Sequence, residues 1–297
     1  MREDVSFRTE DGTLLRGWRY RPAGTAAHPM IVMAHGFSAV KEMYLDRFAS
    51  AFAEAGLGAL VYDHRGFGAS EGTVRQEVDP EGQVRDWRDA LSFAETLAGV
   101  DAGRLAVWGS SYSGGHVLAL AALDRRIKCV VSQVPMVNGP ANARRLVRAD
   151  LLGPTMRMIE ADRRARWAGA APALMPVVSA DPAGPAALPT ADSHAWFTAT
   201  AAARAPAWRN EVTLRSLDLF IGYNPSALIA AISPTPLLMI VGLADHLTPA
   251  DLALAAYEHA LEPKKIVLLK GGHFDAYVDD FAAASSAATA WFRAHLA

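Results

Sequence analysis

Short apolar runs rich in β-branched residues alternate with stretches of helical periodicity along most of the chain. This alternation is typical of an α/β fold, in which helices cover both faces of a mostly parallel sheet. The turn signal Glu10-Asp11-Gly12 joins the first two runs and predicts an antiparallel hairpin at the start of the sheet. The predicted strands are Val5–Arg8, Leu14–Tyr20, Met30–Ala34, Ala59–Tyr62, Leu105–Trp108, Ile127–Val131, Leu237–Val241 and Ile266–Leu269.

Residues 135–233 break this rhythm, because they contain Ala, Arg, Pro and Trp without a clear pattern of buried strands. We interpret this segment as a helical cap inserted into a core formed by residues 1–134 and 234–297. Extra packing helices are the simpler alternative. The segment carries more apolar bulk than an exposed excursion should, so we expect it to cover a pocket. The side chains expected to bind substrate are Met156, Trp167, Trp196 and Trp208.

The charge balance argues against polyanionic partners. The 297 residues include 29 Lys and Arg against 31 Asp and Glu, and a net charge of -2 attracts neither nucleic acid nor an anionic membrane. The single cysteine, Cys129, lies in an apolar run and cannot form an intramolecular disulfide. The first residues lack the apolar stretch of a signal peptide, so we expect a cytoplasmic protein that acts on a small molecule. A homodimer through the cap is a further hypothesis.

The segment from Val107 to Gly115, VWGSSYSGG, predicts a nucleophile elbow. A strand runs directly into small residues around a serine and then into a helix, which displays the central Ser111 on a tight turn. Gly109 and Ser113 must be small because strand and helix approach each other there. Ser110 and Ser113 remain rival candidates for the nucleophile.

Two downstream loops provide partners for this serine. Asp245 follows the strand Leu237–Val241, and His273 follows the next strand after two glycines. The order serine, acid, histidine matches a hydrolase triad, and all three positions lie at the carboxyl ends of strands, where they can converge. Asp245 could instead cap a turn, with Asp251 and Asp275 as competing acids.

An oxyanion also needs hydrogen-bond donors. We expect the backbone N–H groups of Tyr112, which follows the nucleophile, and of Phe37, in the loop after an earlier strand, to provide them. We interpret His35 as a brace for that loop. Asp63 and Arg65 are expected to be structural and to satisfy each other and the backbone. No His, Cys or Asp spacing favours a metal site, and we expect no cofactor.

Taken together, these motifs resemble those of the α/β-hydrolase superfamily over nearly the whole chain. The resemblance implies a mainly parallel eight-stranded sheet with the cap inserted after the sixth strand. The segment GSSYSGGH from Gly109 and the segment WRNEVT from Trp208 are similar to a capped subgroup of esterase-like bacterial proteins and fungal polyketide thioester hydrolases or acyltransferases. The Ser-Tyr pair at the elbow also resembles that of X-Pro dipeptidyl-peptidases.

The sequence thus predicts a cofactor-independent serine hydrolase that cleaves an ester or thioester of a small, largely apolar acyl or aromatic substrate through an acyl-enzyme. Acyl transfer to an alcohol, peptide cleavage and carbon–carbon bond hydrolysis remain open, since a triad does not choose its leaving group. A non-catalytic ligand-binding protein on the same scaffold is an alternative of another class.

Overall fold

The computed structural model describes residues 1–24, 26–181 and 184–297. Strands and helices alternate as the apolar pattern predicts. In chain order they are β1 (Arg2–Arg8), β2 (Leu14–Tyr20), β3 (His28–Ala34), α1 (Leu45–Glu54), β4 (Gly58–Tyr62), α2 (Pro80–Glu95), β5 (Val100–Ser110), α3 (Tyr112–Leu123), β6 (Ile127–Gln133), α4 (Gly139–Leu146), α5 (Ala149–Trp167), β7 (Leu174–Met175), α6 (Ala191–Arg204), β8 (Val212–Thr213), α7 (Leu214–Gly222), β9 (Leu237–Gly242), α8 (Ala250–His259), β10 (Lys264–Leu269) and α9 (Phe281–His295). Two 3₁₀ helices span Pro225–Ile232 and Asp275–Tyr277.

The described residues form one eight-stranded sheet in the order β1-β2-β4-β3-β5-β6-β9-β10. Strand β2 is antiparallel to both β1 and β4, and the other neighbours are parallel. The predicted fold class, the opening hairpin and the positions of the eight strands are therefore confirmed. Because parallel strands end at the same edge, the loops after β3, β5, β9 and β10 can meet there.

Successive side chains along each central strand point to opposite faces of the sheet, and apolar side chains cover both faces. In β3, Ile31 and Met33 join a cluster with Phe48 of α1 and Phe292 of α9, whereas Met30 and Val32 join a second cluster on the opposite face. The second cluster includes Trp87 of α2 and side chains of α3 and α8. Burial on both faces explains why the central strands are continuously apolar rather than alternating.

The chain leaves the sheet after the sixth strand, as expected, and α4 to α7 form the excursion. A short antiparallel ladder, β7 with β8, lies within it. The sequence pattern does not reveal this ladder, because two residues per strand carry no periodicity. The last part of the segment, Pro225–Ile232, buries Ile229 and Ile232 in the cluster that contains Val117 of α3, so it packs on the core. The proposed division into core and cap stays a prediction.

Within the described ranges, no helix is both long enough and apolar enough to span a bilayer.

Candidate active site

The turn between β5 and α3 holds Ser111 in a strained conformation, with φ 60° and ψ -119°. Its neighbours have no room for larger side chains, because a Cβ on Gly109 would lie 2.1 Å from the carbonyl oxygen of Ser113. The Ser111 N–H donates to the Gln133 carbonyl at the end of β6, and the Ser111 carbonyl accepts from Met136. A non-glycine residue with positive φ costs energy, and such strain is concentrated at functional sites. The local sequence therefore forces the serine out of regular structure.

The rival serines have structural partners. The Ser110 hydroxyl is buried and lies 2.6 Å from the Tyr277 hydroxyl. Ser113 donates to the carbonyl of His35 over 2.6 Å, and its oxygen lies 2.9 Å from Nε2 of His64. Neither contacts the imidazole of His273, so the geometry favours Ser111 as the nucleophile.

The structure brings the three expected side chains together. Nε2 of His273 lies 3.0 Å from Oγ of Ser111, and Nδ1 of the same ring lies 2.8 Å from Oδ2 of Asp245. A carboxylate only accepts, so Nδ1 carries the proton and Nε2 is left as the acceptor for the serine hydroxyl. All three residues are buried, with Ser111 the most exposed of them at 8%.

The competing acids lie elsewhere. Asp275 accepts from the N–H of Gly272 at 2.6 Å and so closes the turn that carries His273. Asp251 forms an exposed ion pair with Arg145. Asp245 is the acid that faces the imidazole.

Asp245 serves the turn as well as the histidine. Its Oδ1 accepts from the backbone N–H groups of Leu247 and Thr248, while Oδ2 faces the imidazole. This carboxylate therefore has the contacts that both interpretations of the sequence require. The hydroxyl of Thr248 lies 2.9 Å from Oδ2 of Asp245 and 3.1 Å from Nδ1 of His273. Sequence reasoning missed this site residue, because a threonine before Pro249 reads only as the start of a helix.

The loop between β3 and α1, residues 35–44, which we call the oxyanion loop, lies directly over Ser111. A Cβ on Gly36 would lie 2.7 Å from Cβ of Ser111 and 3.0 Å from its Oγ. The backbone N–H groups of Phe37 and Tyr112 donate to no backbone or side-chain acceptor in the described part of the chain. Tyr112 is the first residue of α3, where N–H groups lack intrahelical partners. Both amides are therefore available to a developing oxyanion.

A buried polar layer supports this loop. Nδ1 of His35 donates to the Gly36 carbonyl at 2.9 Å, and Nε2 accepts from the N–H of His64 at 3.2 Å. Burial lowers the pKa of both His35 and His64, so both rings are neutral at pH 7. His35 thus has the contacts of the brace that the sequence predicts.

Asp63 and Arg65 do not satisfy each other, so this part of the sequence interpretation is wrong. Asp63 accepts from the Lys41 ammonium and from the Lys41 and Ala69 N–H groups. The side chain of Arg65 instead pairs with Asp86 and Asp11. The two side chains have different partners because Asp63 accepts hydrogen bonds from residues around the oxyanion loop, whereas the guanidinium of Arg65 reaches Asp86 on helix α2.

Two apolar compartments meet at Ser111, with about 270 Å³ and about 240 Å³ of empty space including their mouths. They share the walls Phe37, Ser111, Leu188 and Leu247. We call the first the histidine-side compartment; it adds Gly36, Ala39, Trp196, Phe197, His273, Phe274 and Tyr277. We call the second the helix-side compartment; it adds Tyr112, Met136, Asn142, Leu146, Phe220 and Thr248.

The four cap residues expected to bind substrate have different positions. Trp196 lines the histidine-side compartment and stacks on Phe274, with ring centroids 4.7 Å apart. Trp208 lines neither compartment; its indole N–H donates to the Ser38 carbonyl at 2.8 Å and so fixes the cap to the oxyanion loop. Trp167 is 91% exposed at the end of α5, and Met156 on the same helix is 37% exposed. These two predictions are corrected, because neither side chain lines a compartment at Ser111.

Comparisons with known proteins agree with this geometry. Residues 11–275 match the family model described as X-Pro dipeptidyl-peptidase (S15 family). The chain belongs to the S15 family. This S15-family protein is 32% identical to a thiohydrolase of Eupenicillium brefeldianum over 92% of its own length and 88% of the relative's. It is 34% identical to the quorum-quenching protein AidA of Acinetobacter baumannii, over 93% and 89% of the two chains.

A solved structure repeats the whole fold. The crystal structure of the α/β hydrolase GrgF from a Penicillium species superposes with a TM-score of 0.85 and 28% identity, covering 100% of this chain and 99% of the other. The resemblance to the α/β-hydrolase superfamily is therefore confirmed, and with it membership of a superfamily of hydrolases.

Other reactive groups in the protein are ill placed for chemistry. Cys129 is buried, and burial raises the pKa of its thiol, which leaves little thiolate at neutral pH. Among the residues that the structure describes, no three His, Cys, Asp or Glu side chains cluster so as to hold a metal ion.

Proposed function

We propose that this protein is a serine hydrolase that cleaves an ester or thioester through an acyl-enzyme on Ser111. The observation that carries the proposal is the hydrogen-bonded chain from Ser111 Oγ through His273 to Asp245, with distances of 3.0 and 2.8 Å, in an apolar site beside two free backbone N–H groups. A serine hydroxyl is a weak nucleophile until an adjacent base can accept its proton.

Acylation follows from the positions of these groups. Oγ of Ser111 attacks the carbonyl carbon while Nε2 of His273 accepts the hydroxyl proton, and the carbonyl π electrons move onto oxygen. The N–H groups of Phe37 and Tyr112 stabilise the resulting oxyanion. Collapse of the tetrahedral intermediate expels the alkoxide or thiolate, which takes the proton from His273. Asp245 holds the ring in the Nδ1–H form and stabilises its transient positive charge.

Deacylation repeats the sequence with water. His273 accepts a proton from the water as its oxygen attacks the acyl carbon, and Ser111 leaves as the hydroxyl after receiving that proton. The products are a carboxylic acid and the alcohol or thiol released earlier.

The walls of the site indicate the substrate class. Apart from Ser111, His273, Asn142 and Thr248, they are apolar or aromatic, so the space beside Ser111 suits a small, largely apolar acyl or aromatic group. No Asp or Glu among the described residues lines either compartment. An X-Pro dipeptide carries a free ammonium group that such a site leaves unpaired, so an ester or thioester fits better than the family's peptide substrate.

Acyl transfer to an alcohol is the second candidate. The aromatic walls beside His273 favour an organic acceptor over water, and a relative from Penicillium, 32% identical over 92% of this chain, is named a polyketide transferase. In this variant an alcohol replaces water in deacylation, and His273 accepts its proton in the same way.

A fluorophosphonate probe tests the proposal. The probe should label the wild-type chain at Ser111, and Ser111→Ala should lose both labelling and hydrolysis of esters and thioesters. Ser92→Ala, a change on α2 that lies outside the site, is the matched control and should retain both. Labelling that persists in Ser111→Ala would reject the nucleophile.

A substrate panel separates the remaining candidates. Products formed with and without a competing alcohol distinguish hydrolysis from transfer, and an X-Pro anilide reports peptidase activity. Tight ligand binding without turnover on any ester, thioester or amide would favour the non-catalytic alternative.

A further inference from the structure

The two compartments at Ser111 are chemically unequal, because His273 lines only one of them. If the proposed function holds, the leaving group must take its proton from Nε2 of His273 and therefore departs into the histidine-side compartment. The helix-side compartment has no base or acid to offer a departing group. Its walls, which include Met136 and Phe220, are suited to the part of the substrate that stays on the enzyme, the acyl chain.

The helix-side compartment abuts a larger space in the cap. This cap groove has about 730 Å³ of empty space including the solvent at its mouth, and Leu146 at the end of α4 lines both the groove and the compartment. Leu188 of the compartment lies between Ala187 and Pro189 of the groove, and Phe220 lies one turn of α7 after Leu217 of the groove. Helix α4, the segment 187–189 and helix α7 thus each contribute walls to both the helix-side compartment and the cap groove.

The groove is suited to a chain without charge. Its walls are mainly aliphatic side chains, alanines and prolines, with Thr155 and Arg148 as polar members. The guanidinium of Arg148 is already paired with Asp150. Leu151 and Met158 of α5 both line the groove and remain 38% exposed, so they offer apolar surface to a ligand there.

From this continuity we propose that the substrate carries a long apolar acyl chain, which runs from Ser111 past Leu146 into the cap groove. Leu146 is then a specificity-determining residue that sets which chain lengths are accepted. Burying each further methylene in the groove is worth about fourfold in kcat/KM until the groove is full. The assignment fixes the direction of the substrate, with the acyl chain toward α4 and α7 and the leaving group toward Trp196.

The experiment uses butyryl, octanoyl and dodecanoyl esters of one alcohol, so that the acyl chain alone varies. In the wild-type protein kcat/KM should rise with chain length. Leu146→Trp should lower kcat/KM by a factor at least tenfold larger on the dodecanoyl ester than on the butyryl ester. Leu174→Trp is the matched control, since Leu174 lies in the cap, is 55% exposed and lines neither space; it should keep the wild-type profile.

Two further variants keep the proposal testable if Leu146→Trp fails to fold. Leu146→Ala widens the passage and should raise the ratio of dodecanoyl to butyryl kcat/KM, whereas Met158→Asp places a charge in the groove and should lower that ratio. In a second series with one acyl group and alcohols of increasing length, Leu146→Trp should change kcat/KM by the same factor for every alcohol.

The outcomes separate this proposal from the proposed function. Hydrolysis that depends on Ser111 but changes equally for all acyl chains in Leu146→Trp overturns the assignment of the groove. Sensitivity in the alcohol series instead would reverse the direction of the substrate. Hydrolysis that does not depend on Ser111 would reject the proposed function itself.

Discussion

Replacing Gly36 by alanine tests how tightly the oxyanion loop fits against the nucleophile. The backbone φ of Gly36 lies outside the positive range that favours glycine, so alanine adds no conformational strain of its own. The cost comes from contact, because the new Cβ would lie 2.7 Å from Cβ of Ser111 and 3.3 Å from the Ser110 carbonyl oxygen. Carbon atoms prefer a separation of about 3.5–4.0 Å, so the loop must move by about 0.8 Å or more.

That displacement carries the N–H of Phe37 away from the oxyanion. A misplacement of about 1 Å costs on the order of 10² in rate, and loss of one oxyanion donor costs about 10²–10³ in kcat, or about 2.7–4 kcal/mol. We therefore expect Gly36→Ala to lower kcat for an ester substrate by 10²–10³ with a small change in KM. The lost interaction exists only in the transition state, which is why kcat carries the effect.

The assay is steady-state hydrolysis of a chromogenic ester, with thermal unfolding measured on the same samples. Gly222→Ala is the matched control, since the Cβ that it adds has no atom within 4 Å apart from its chain neighbours and the backbone of its own helix. It should retain wild-type kcat. Overpacking at Gly36 should cost about 1–3 kcal/mol of stability, which leaves the protein folded at 25 °C. A Gly36→Ala protein with kcat within threefold of wild type would refute the oxyanion geometry.

Three further predictions concern the groups around this loop. Asp245→Asn keeps the acceptor for the Thr248 N–H but disfavours the Nδ1–H form of the imidazole, so kcat should fall by about 10⁴; a fall below tenfold would contradict the role of the acid. Ser113→Ala removes the bond to the His35 carbonyl and should lower kcat about fivefold at unchanged KM, as the loss of roughly 1 kcal/mol implies, whereas an equal change in KM would indicate general damage. Burial lowers the pKa of His116 to about 3, so the unfolded state alone binds its proton between pH 6.5 and 3, and stability is lost as pH falls through that window. Urea unfolding at pH 7 and pH 5 should show that His116→Gln loses about 2 kcal/mol less over this interval than wild type; an equal loss in both proteins would mean that His116 is protonated when folded.

The local sequence pattern was sufficient to predict the sheet and the convergence of Ser111, Asp245 and His273. Each strand of the core is a run of apolar residues bounded by turn residues, and both faces of the sheet demand the same kind of side chain. The triad residues follow strands that end at one edge, so their chain order already predicts that they converge. Steric demands at Gly109 act between residues a few positions apart, which is why a short motif can reveal the elbow.

The contents of the site outside the triad could not be predicted in the same way. In the sequence, the four apolar cap residues Met156, Trp167, Trp196 and Trp208 look alike. In the structure, Trp196 lines the histidine-side compartment, Trp208 donates to the Ser38 carbonyl, and Met156 and Trp167 are exposed. Which of them reaches Ser111 depends on how the cap helices are rotated, and helices with weak amphipathic patterns do not specify that rotation. The ion pair of Asp63 with Lys41 rather than with Arg65 could not be predicted either, because Lys41 lies on a different loop from Asp63.

The amino-acid sequence by itself determined the α/β architecture, the strained turn at Ser111 and the placement of Asp245 and His273 after strands that end at the same edge, because these depend on periodicity and on contacts between near neighbours. Tertiary structure alone decided that Thr248 lies beside Asp245 and His273, that His273 lines only one of the two compartments, and that Leu146 lines both the other compartment and the cap groove. These features arise from packing between segments distant in the chain, and no local pattern encodes the distance between such segments.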